Sequence, residues 1–204
     1  MRRDKRKLIN QYLEELRTIK REINENPKKE FVTTTSYLYT LNNGMVIPRD
    51  QIFKNNIDGS AVIVAPYIKE TNEFLVVIEP RVFTKLGVAV SFPAGYIEEG
   101  ESPEEAAKRE LREETGYITS RLIPLDSFYQ DEGVSAAYNH SFLALDVLKE
   151  YDQELDENEI VRYITLTYNE LLELDKEGII SGANTKLTLA KLNKYIGGKK
   201  NVWC

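Results

Sequence analysis

The sequence predicts a mixed α/β (α+β) domain, and three observations lead to it. Short β-prone runs recur along the chain, at residues 60–68, 74–79, 88–92, 122–129, 138–147 and 160–166, each bounded by turn residues. A single short helix with strong end signals, residues 102–116, stands among them. Two further helices close the chain, giving strands gathered around one central helix. At 204 residues and 42% hydrophobic content the chain suits one compact domain with an appended element.

Taken in order, residues 5–24 place Leu8, Ile9, Tyr12, Leu13, Leu16, Ile19 and Ile23 at helical spacing. This predicts a helix docked on the domain or on a partner subunit, with Asn26-Pro27 breaking it. Membrane-surface binding is the weaker reading, because Glu14, Glu15 and Glu22 interrupt the positive charge. Residues 1–30 are therefore read as an N-terminal helix extension and residues 31–204 as the main domain. Residues 31–40, the turn Asn42-Asn43-Gly44 and residues 45–47 predict a β-hairpin. Tyr37 and Tyr39 share one side of it, where strand packing is favoured over stacking on a base.

The runs at 60–68 and 74–79 are joined by a polar turn at Thr71-Asn72-Glu73, and Pro93-Ala94-Gly95 ends the run at 88–92. The helix that follows has Ser102 as cap, Pro103 at its first position and Glu105 completing a capping box, with Gly116 to end it in the left-handed conformation. His140 is the only histidine and falls inside the run at 138–147, where packing or hydrogen bonding is the expected role. An acidic loop, residues 150–159, precedes the last strand. Thr167 and Glu170 make a second capping box, for a helix that ends before Gly178, and residues 184–196 form the final helix, stopped by Gly197-Gly198.

A net charge of −6 argues against a nucleic-acid backbone as the main partner. Cys204 is the only cysteine, so no disulfide can form within the chain and a reducing compartment is expected. The basic start MRRDKRK leads into a charge-rich helix rather than an apolar region, and no segment is apolar enough to span a membrane. The expectation is a cytoplasmic protein with no membrane partner.

Glu110, Glu113 and Glu114 are spaced three and four residues apart and project into one arc of the central helix. Alone, such a cluster reads as a solvated acidic face, since charge runs usually face water. A hard divalent cation such as Mg²⁺ reverses the sign of their repulsion, because it takes carboxylate oxygens together with phosphate and water. The cluster also sits in a larger pattern, G-x5-E-x7-R-E-U-x-E-E-x-G-U, filled by Gly95, Glu101, Arg109, Glu110, Leu111, Glu113, Glu114 and Gly116. Seven fixed positions at roughly 7% usage each would arise by chance about once in 10⁶ chains of this length, so the pattern outweighs the bland reading.

By this pattern the chain resembles the Nudix hydrolases, and by its Pro93-Ala94-Gly95 segment, hairpin and helical tail it is similar to their ADP-ribose pyrophosphatase branch. The resemblance implies a Nudix α/β/α sandwich with a mixed sheet, plus the N-terminal helix and hairpin, the hairpin (31–49) making contacts in a homodimer. It implies Glu110 and Glu114 as principal metal ligands, Glu113 in support as ligand and catalytic carboxylate, and the Ala94 carbonyl facing the metal. The cofactor would be Mg²⁺, with Mn²⁺ the alternative. Gly95, Glu101, Arg109 and Gly116 would be structural, Glu101 pairing with Arg109. Arg81 would bind substrate, and Glu159, with Glu157 close behind, would be the general base.

Three departures are visible. Tyr117 stands where the box has an aliphatic residue. Glu79-Pro80 precedes Arg81 in place of glutamine and an aromatic. The loop Gln130–Ala137 keeps Gly133 and Ser135 but lacks the family's proline and glutamate. The implied activity is hydrolysis of the diphosphate in ADP-ribose or a related nucleoside diphosphate sugar to two monophosphates. The alternatives are another nucleotide (a dinucleoside polyphosphate, NADH or a nucleoside triphosphate) or a non-catalytic ligand sensor on the same fold.

Overall fold

The computed structural model describes residues 1–23, 25 and 31–198. Among them the chain order is α1 (Arg3–Glu15), β1 (Val32–Thr40), β2 (Val46–Lys54), β3 (Ala61–Ile68), β4 (Glu73–Pro80), β5 (Val88–Ser91) and β6 (Ala94–Tyr96). The box helix α2 (Pro103–Thr115) follows, then β7 (Tyr117–Tyr129), β8 (Tyr138–Lys149), β9 (Arg162–Leu166), α3 (Tyr168–Lys176) and α4 (Ala183–Gly198).

Successive side chains of a strand face opposite sides of its sheet, and β3 shows what this produces. Its Val62 and Val64 turn to one side, packing with Ala106, Ala107 and Leu111 of α2. Ile63 and Ala65 turn to the other, joining Ile9 of α1, Leu171 and Leu174 of α3, and Leu189 and Leu192 of α4. A strand buried on both faces reads as a continuous apolar run, as residues 61–67 do here. The result is an α/β/α sandwich with a mixed sheet, as expected: β3 and β8 run parallel, and β7 with β8 antiparallel.

The sheet divides in the middle. β3 and β4 pair only beside their turn, at Tyr67↔Phe74 and Ile68↔Glu73. Beyond that point β3 pairs with β6, and β4 with β5 and β9. The backbone of Pro93 stays with β3, its carbonyl accepting from Val64 N at 2.9 Å. A cleft lies where the two halves part.

Several elements differ from the sequence reading. α1 stops at Glu15, well short of residue 24, and Ile19 and Ile23 are exposed although they continue its periodicity. A helix of this size depends on burying its apolar face, and the core ends at Leu16. The helix docks on its own domain: Ile9 is fully buried, and Lys5 Nζ lies 2.6 Å from both a Glu73 carboxylate oxygen and the Thr165 carbonyl. Strand β2 extends to Lys54 rather than residue 47, passing through Pro48, which an edge strand tolerates. β6 was not anticipated, β7 begins directly after Gly116, and α4 passes through Gly197 to Gly198. The expected break at Asn26-Pro27, the domain boundary at residue 30 and Cys204 lie outside the described residues.

The hairpin forms as predicted, β1 and β2 pairing from Val32↔Lys54 to Thr40↔Val46. Gly44 adopts φ +82°, and Met45 N donates to Asn43 Oδ1 at 3.0 Å. The hairpin is a separate two-stranded sheet touching the body by few bonds, among them Ile52 N to Val134 O at 2.8 Å. Leu38, Met45 and Val46 are more than half exposed upon it.

Candidate active site

The box helix is fixed at both ends by the residues that predicted it. Ser102 accepts from Glu105 N while the Glu105 carboxylate accepts from Ser102 N, and Pro103 opens the first turn. At the other end Gly116 takes φ +70° and its N–H caps Arg112 O at 2.6 Å. A side chain on Gly116 would also meet the Tyr151 carbonyl at 2.0 Å, so glycine is required twice over. Gly95 is needed for a different reason. A Cβ there would lie 1.9 Å from Glu110 Oε1, because the β6 backbone lies directly against that carboxylate.

Glu110, Glu113 and Glu114 share one wall of a cleft of about 730 Å³. Ala94 and Gly95 line it beside them, and its further carboxylates include Glu79, Glu154, Asp156 and Glu159. Arg109 is the main counter-charge. Its Nε and Nη2 make a bidentate pair with Glu101 at 2.8 and 2.9 Å, Nη1 reaches Glu110 at 2.7 Å and Glu113 at 3.1 Å, and Nη2 also donates to the Tyr96 carbonyl. The Glu101 pairing is the one expected. Glu101, which also accepts from Glu98 N, is held below the ordinary carboxylate pKa by that arginine.

Glu114 has no such partner. It is 6% exposed, and its Oε2 accepts from Ala94 N at 3.2 Å. Burial, with Glu79 and Glu110 nearby, raises its pKa well above the usual range. Burial likewise pushes Glu110 up to about 7, against the pull of Arg109. Buried carboxylates with too few cations are the donor set that suits a hard divalent ion. Among the described residues no three acidic side chains converge into a finished metal cage, and Arg109 bridges Glu110 and Glu113 instead. The residues fit such an ion by chemistry and burial.

Glu79 is a cleft residue that sequence reasoning missed. Its side chain is 12% exposed, and its Oε1 takes both Arg81 Nη2 at 2.7 Å and Ser91 Oγ at 3.1 Å. Burial, then the nearby Glu159 charge, raise its pKa against the opposing pull of Arg81. The available signal was the acidic residue standing in place of glutamine before Pro80-Arg81. Arg81 lies in the cleft, half exposed, with Glu79 as its partner.

The acidic loop is stitched to the C-terminal end of the box helix. Gln153 Nε2 donates to Glu114 O at 2.5 Å and Val161 O at 3.3 Å, Glu154 N donates to Glu113 O, and Tyr151 N to Gly116 O. The loop thus satisfies carbonyls that every helix end leaves unpaired. It brings Glu159 to the cleft wall, where Asp156 N donates to Glu159 Oε2 at 3.3 Å, whereas Glu157 is not on that wall. His140 lies in β8 away from the cleft, its Nδ1 3.0 Å from Ser127 Oγ. The unusual Tyr117 packs edge-on to Tyr163 at 6.1 Å, and Lys149 Nζ covers both rings while bonding the Thr115 carbonyl at 2.7 Å. A cation at a helix C-terminus is favourable, so the aromatic substitution comes with its own support.

Comparison with known proteins agrees with this geometry. Residues 58–183 match the family model described as NUDIX domain, and the chain belongs to the Nudix hydrolase family. Within that family it resembles the ADP-ribose pyrophosphatases. It is 40% identical over 105 residues to the ADP-ribose pyrophosphatase of Bacillus subtilis, a match spanning 50% of this chain and 56% of that protein. It is 33% identical over 150 residues to the methanol dehydrogenase activator of Bacillus methanolicus, covering 72% of this chain and 80% of that one. A crystal structure of an ADP compounds hydrolase superposes with a TM-score of 0.71 over 87% of this chain and 92% of that chain, at 22% identity, a likeness of fold.

The Arg109–Glu101 pair yields a stability prediction. Glu101→Gln removes the charge from a largely buried bidentate contact, so thermal unfolding should show a loss of about 1.5–3 kcal/mol. An unchanged melting temperature would mean that the pair does not hold the box in place.

Proposed function

We propose that the chain is a Mg²⁺-dependent pyrophosphohydrolase, with Mn²⁺ able to replace Mg²⁺, that splits the diphosphate of ADP-ribose or a related nucleoside diphosphate sugar. The observation that carries this reading is the arc of Glu110, Glu113 and Glu114 against the Ala94-Gly95 backbone, with Glu159 on the wall of the same cleft. The relatives named as ADP-ribose pyrophosphatases support the substrate class.

Glu110 and Glu114 hold the cation, Glu113 and the Ala94 carbonyl assist, and Gly95 lets backbone and carboxylate approach. Glu101 and Arg109 keep Glu110 and Glu113 oriented, and Gly116 holds the helix end to which the acidic loop is tied. Bound divalent ions supply charge neutralisation at the diphosphate oxygens and lower the pKa of water. Arg81 contacts a phosphate oxygen, leaving its pairing with Glu79 to do so. Glu159 takes the proton of the attacking water as its oxygen bonds to one phosphorus. The bridging P–O bond breaks, its electrons stay on the departing phosphate, and two monophosphates result. For ADP-ribose these are AMP and ribose 5-phosphate.

Glu159 is preferred to the box carboxylates as base because cation-bound carboxylates lose basicity. It is preferred to Glu157 because Glu159 alone of the two reaches the cleft wall. A panel of ADP-ribose, other ADP-sugars, NADH, a diadenosine polyphosphate and nucleoside triphosphates, assayed with and without Mg²⁺, tests the reading. Glu159→Gln should lower kcat by about 10²–10⁴-fold while Glu157→Gln changes it little. The reverse order would move the base to Glu157, and less than a tenfold loss in both would remove the loop as its source.

A second reading draws on the methanol dehydrogenase activator, whose match covers more of this chain than that of the B. subtilis pyrophosphatase. On it, the chain regulates a partner enzyme, and no turnover of any panel nucleotide would favour it.

The hairpin supports a homodimer: Leu38, Met45 and Val46 expose apolar surface on a two-stranded sheet, a unit marginal by itself in water. Light scattering at micromolar concentration should give twice the 23.5 kDa chain mass, and a monomer would refute the assignment. A cytoplasmic setting with no membrane or nucleic-acid partner fits the acidic charge. Among the described residues no helix is long and apolar enough to cross a membrane.

A further inference from the structure

Strand β6 orders the chemistry of the cleft along its length. Ala94 and Gly95 lie against the carboxylates of Glu114 and Glu110. Two residues on, about 7 Å farther at the usual strand rise, Tyr96 pairs with Ala61. The amides of Gln130 and Asn184 line the cleft together with Tyr96, Glu98 and Glu99.

The Asn184 amide is held in one orientation by a buried relay. Asn139 is fully buried, and its side chain faces the N–H of Ala61 at 3.1 Å. A backbone N–H can only donate, so the Asn139 atom facing it is Oδ1 and its Nδ2 must point the other way. That Nδ2 lies 3.2 Å from Asn184 and donates to its Oδ1. The Asn184 Nδ2 is therefore turned away from the relay, on a residue that lines the cleft. Gln130 is similarly arranged, its Oε1 taken by Lys54 Nζ at 3.3 Å and its NH₂ left as donor.

Among the described residues, Tyr96 is the aromatic ring that lines this end. Tyr96 already has Phe31 against it at 6.1 Å and Lys54 Nζ above its ring at 5.8 Å. Side-chain amides suit hydroxyl groups, which accept from an amide N–H and donate in turn. We propose that Asn184 is a substrate-binding residue, donating through Nδ2 to a hydroxyl of the sugar attached to the distal phosphate. Asn139 fixes the direction of that bond. This rests on the reading of the chain as a nucleoside diphosphate sugar hydrolase, and within it assigns the end of the cleft beside Tyr96 and Asn184 to the sugar.

The test is steady-state kinetics of the full chain on ADP-ribose with Mg²⁺, comparing wild type with Asn184→Asp and Asn184→Ala. Loss of one such bond should raise KM about tenfold. The kcat should stay within about threefold, because the contact forms in ground and transition state alike. Inhibition by ribose 5-phosphate should weaken in parallel, and inhibition by AMP should not. An unchanged KM in both variants overturns the assignment, as does a loss confined to AMP, which would place the nucleoside at this end. If wild type does not cleave ADP-ribose, the functional reading fails separately. Calorimetric binding of ribose 5-phosphate then decides for Asn184: weaker binding to Asn184→Ala sustains the assignment, and equal affinity or no binding to either overturns it.

Discussion

Carboxylate repulsion in a poorly solvated cleft is the constraint on which this structure depends. Two unit charges about 4 Å apart repel by ~4 kcal/mol at an effective dielectric near 20, and burial adds a desolvation cost to each. Glu110 and Glu114 are pressed against the β6 backbone, the Glu159 charge reaches both, and the Glu79 charge reaches Glu114. Arg109 answers part of this charge by bridging Glu101, Glu110 and Glu113. It does not reach Glu114, whose carboxylate partner among the described residues is the Ala94 N–H. The local arrangement is costly for the fold and useful for holding cations.

The scaffold is built to hold that cost in place. Ala106, Ala107 and Leu111 anchor α2 on the sheet while its opposite arc carries the glutamates. Separation of β3 from β4 opens the space into which Glu79, Ala94 and the box face. The helix C-terminus organises the other wall. Its carbonyls accept from Gln153, Glu154 and Tyr151, so the loop that carries Glu159 is registered on the helix that carries the box glutamates. Glu159 and the box glutamates are thus tied to one element, which on the proposed reading favours reproducible geometry between base and cation ligands.

Much of this was legible in the sequence because it is local. Both capping boxes, the αL glycine at 116 and the arc of three glutamates depend on residues within one or two helical turns. The hairpin turn at Asn42-Asn43-Gly44 is equally local. The mixed α/β class followed from strand runs gathered around one helix, and the α/β/α layering from the resemblance to the Nudix hydrolases. What escaped depends on contacts distant in the chain. α1 ends where the core ends, although its periodicity continues through Ile19 and Ile23. β6 is three residues long and exists because β3 offers it a partner. Glu79 looked like a departure from a motif, and only the fold places it beside Glu114 and Glu159. The resemblance preferred Glu159 with Glu157 close behind, and of the two it is Glu159, held by the turn at Asp156, that lines the cleft.

Direct binding tests whether the box carboxylates hold divalent cations, without reference to turnover. Mn²⁺ titrated into the protein and followed by electron paramagnetic resonance reports the free ion as it disappears. The wild-type chain should bind Mn²⁺ saturably and in competition with Mg²⁺, and Glu114→Gln should weaken that binding at least tenfold with the circular dichroism spectrum unchanged. Equal Mn²⁺ affinity in a folded Glu114→Gln protein would contradict that assignment.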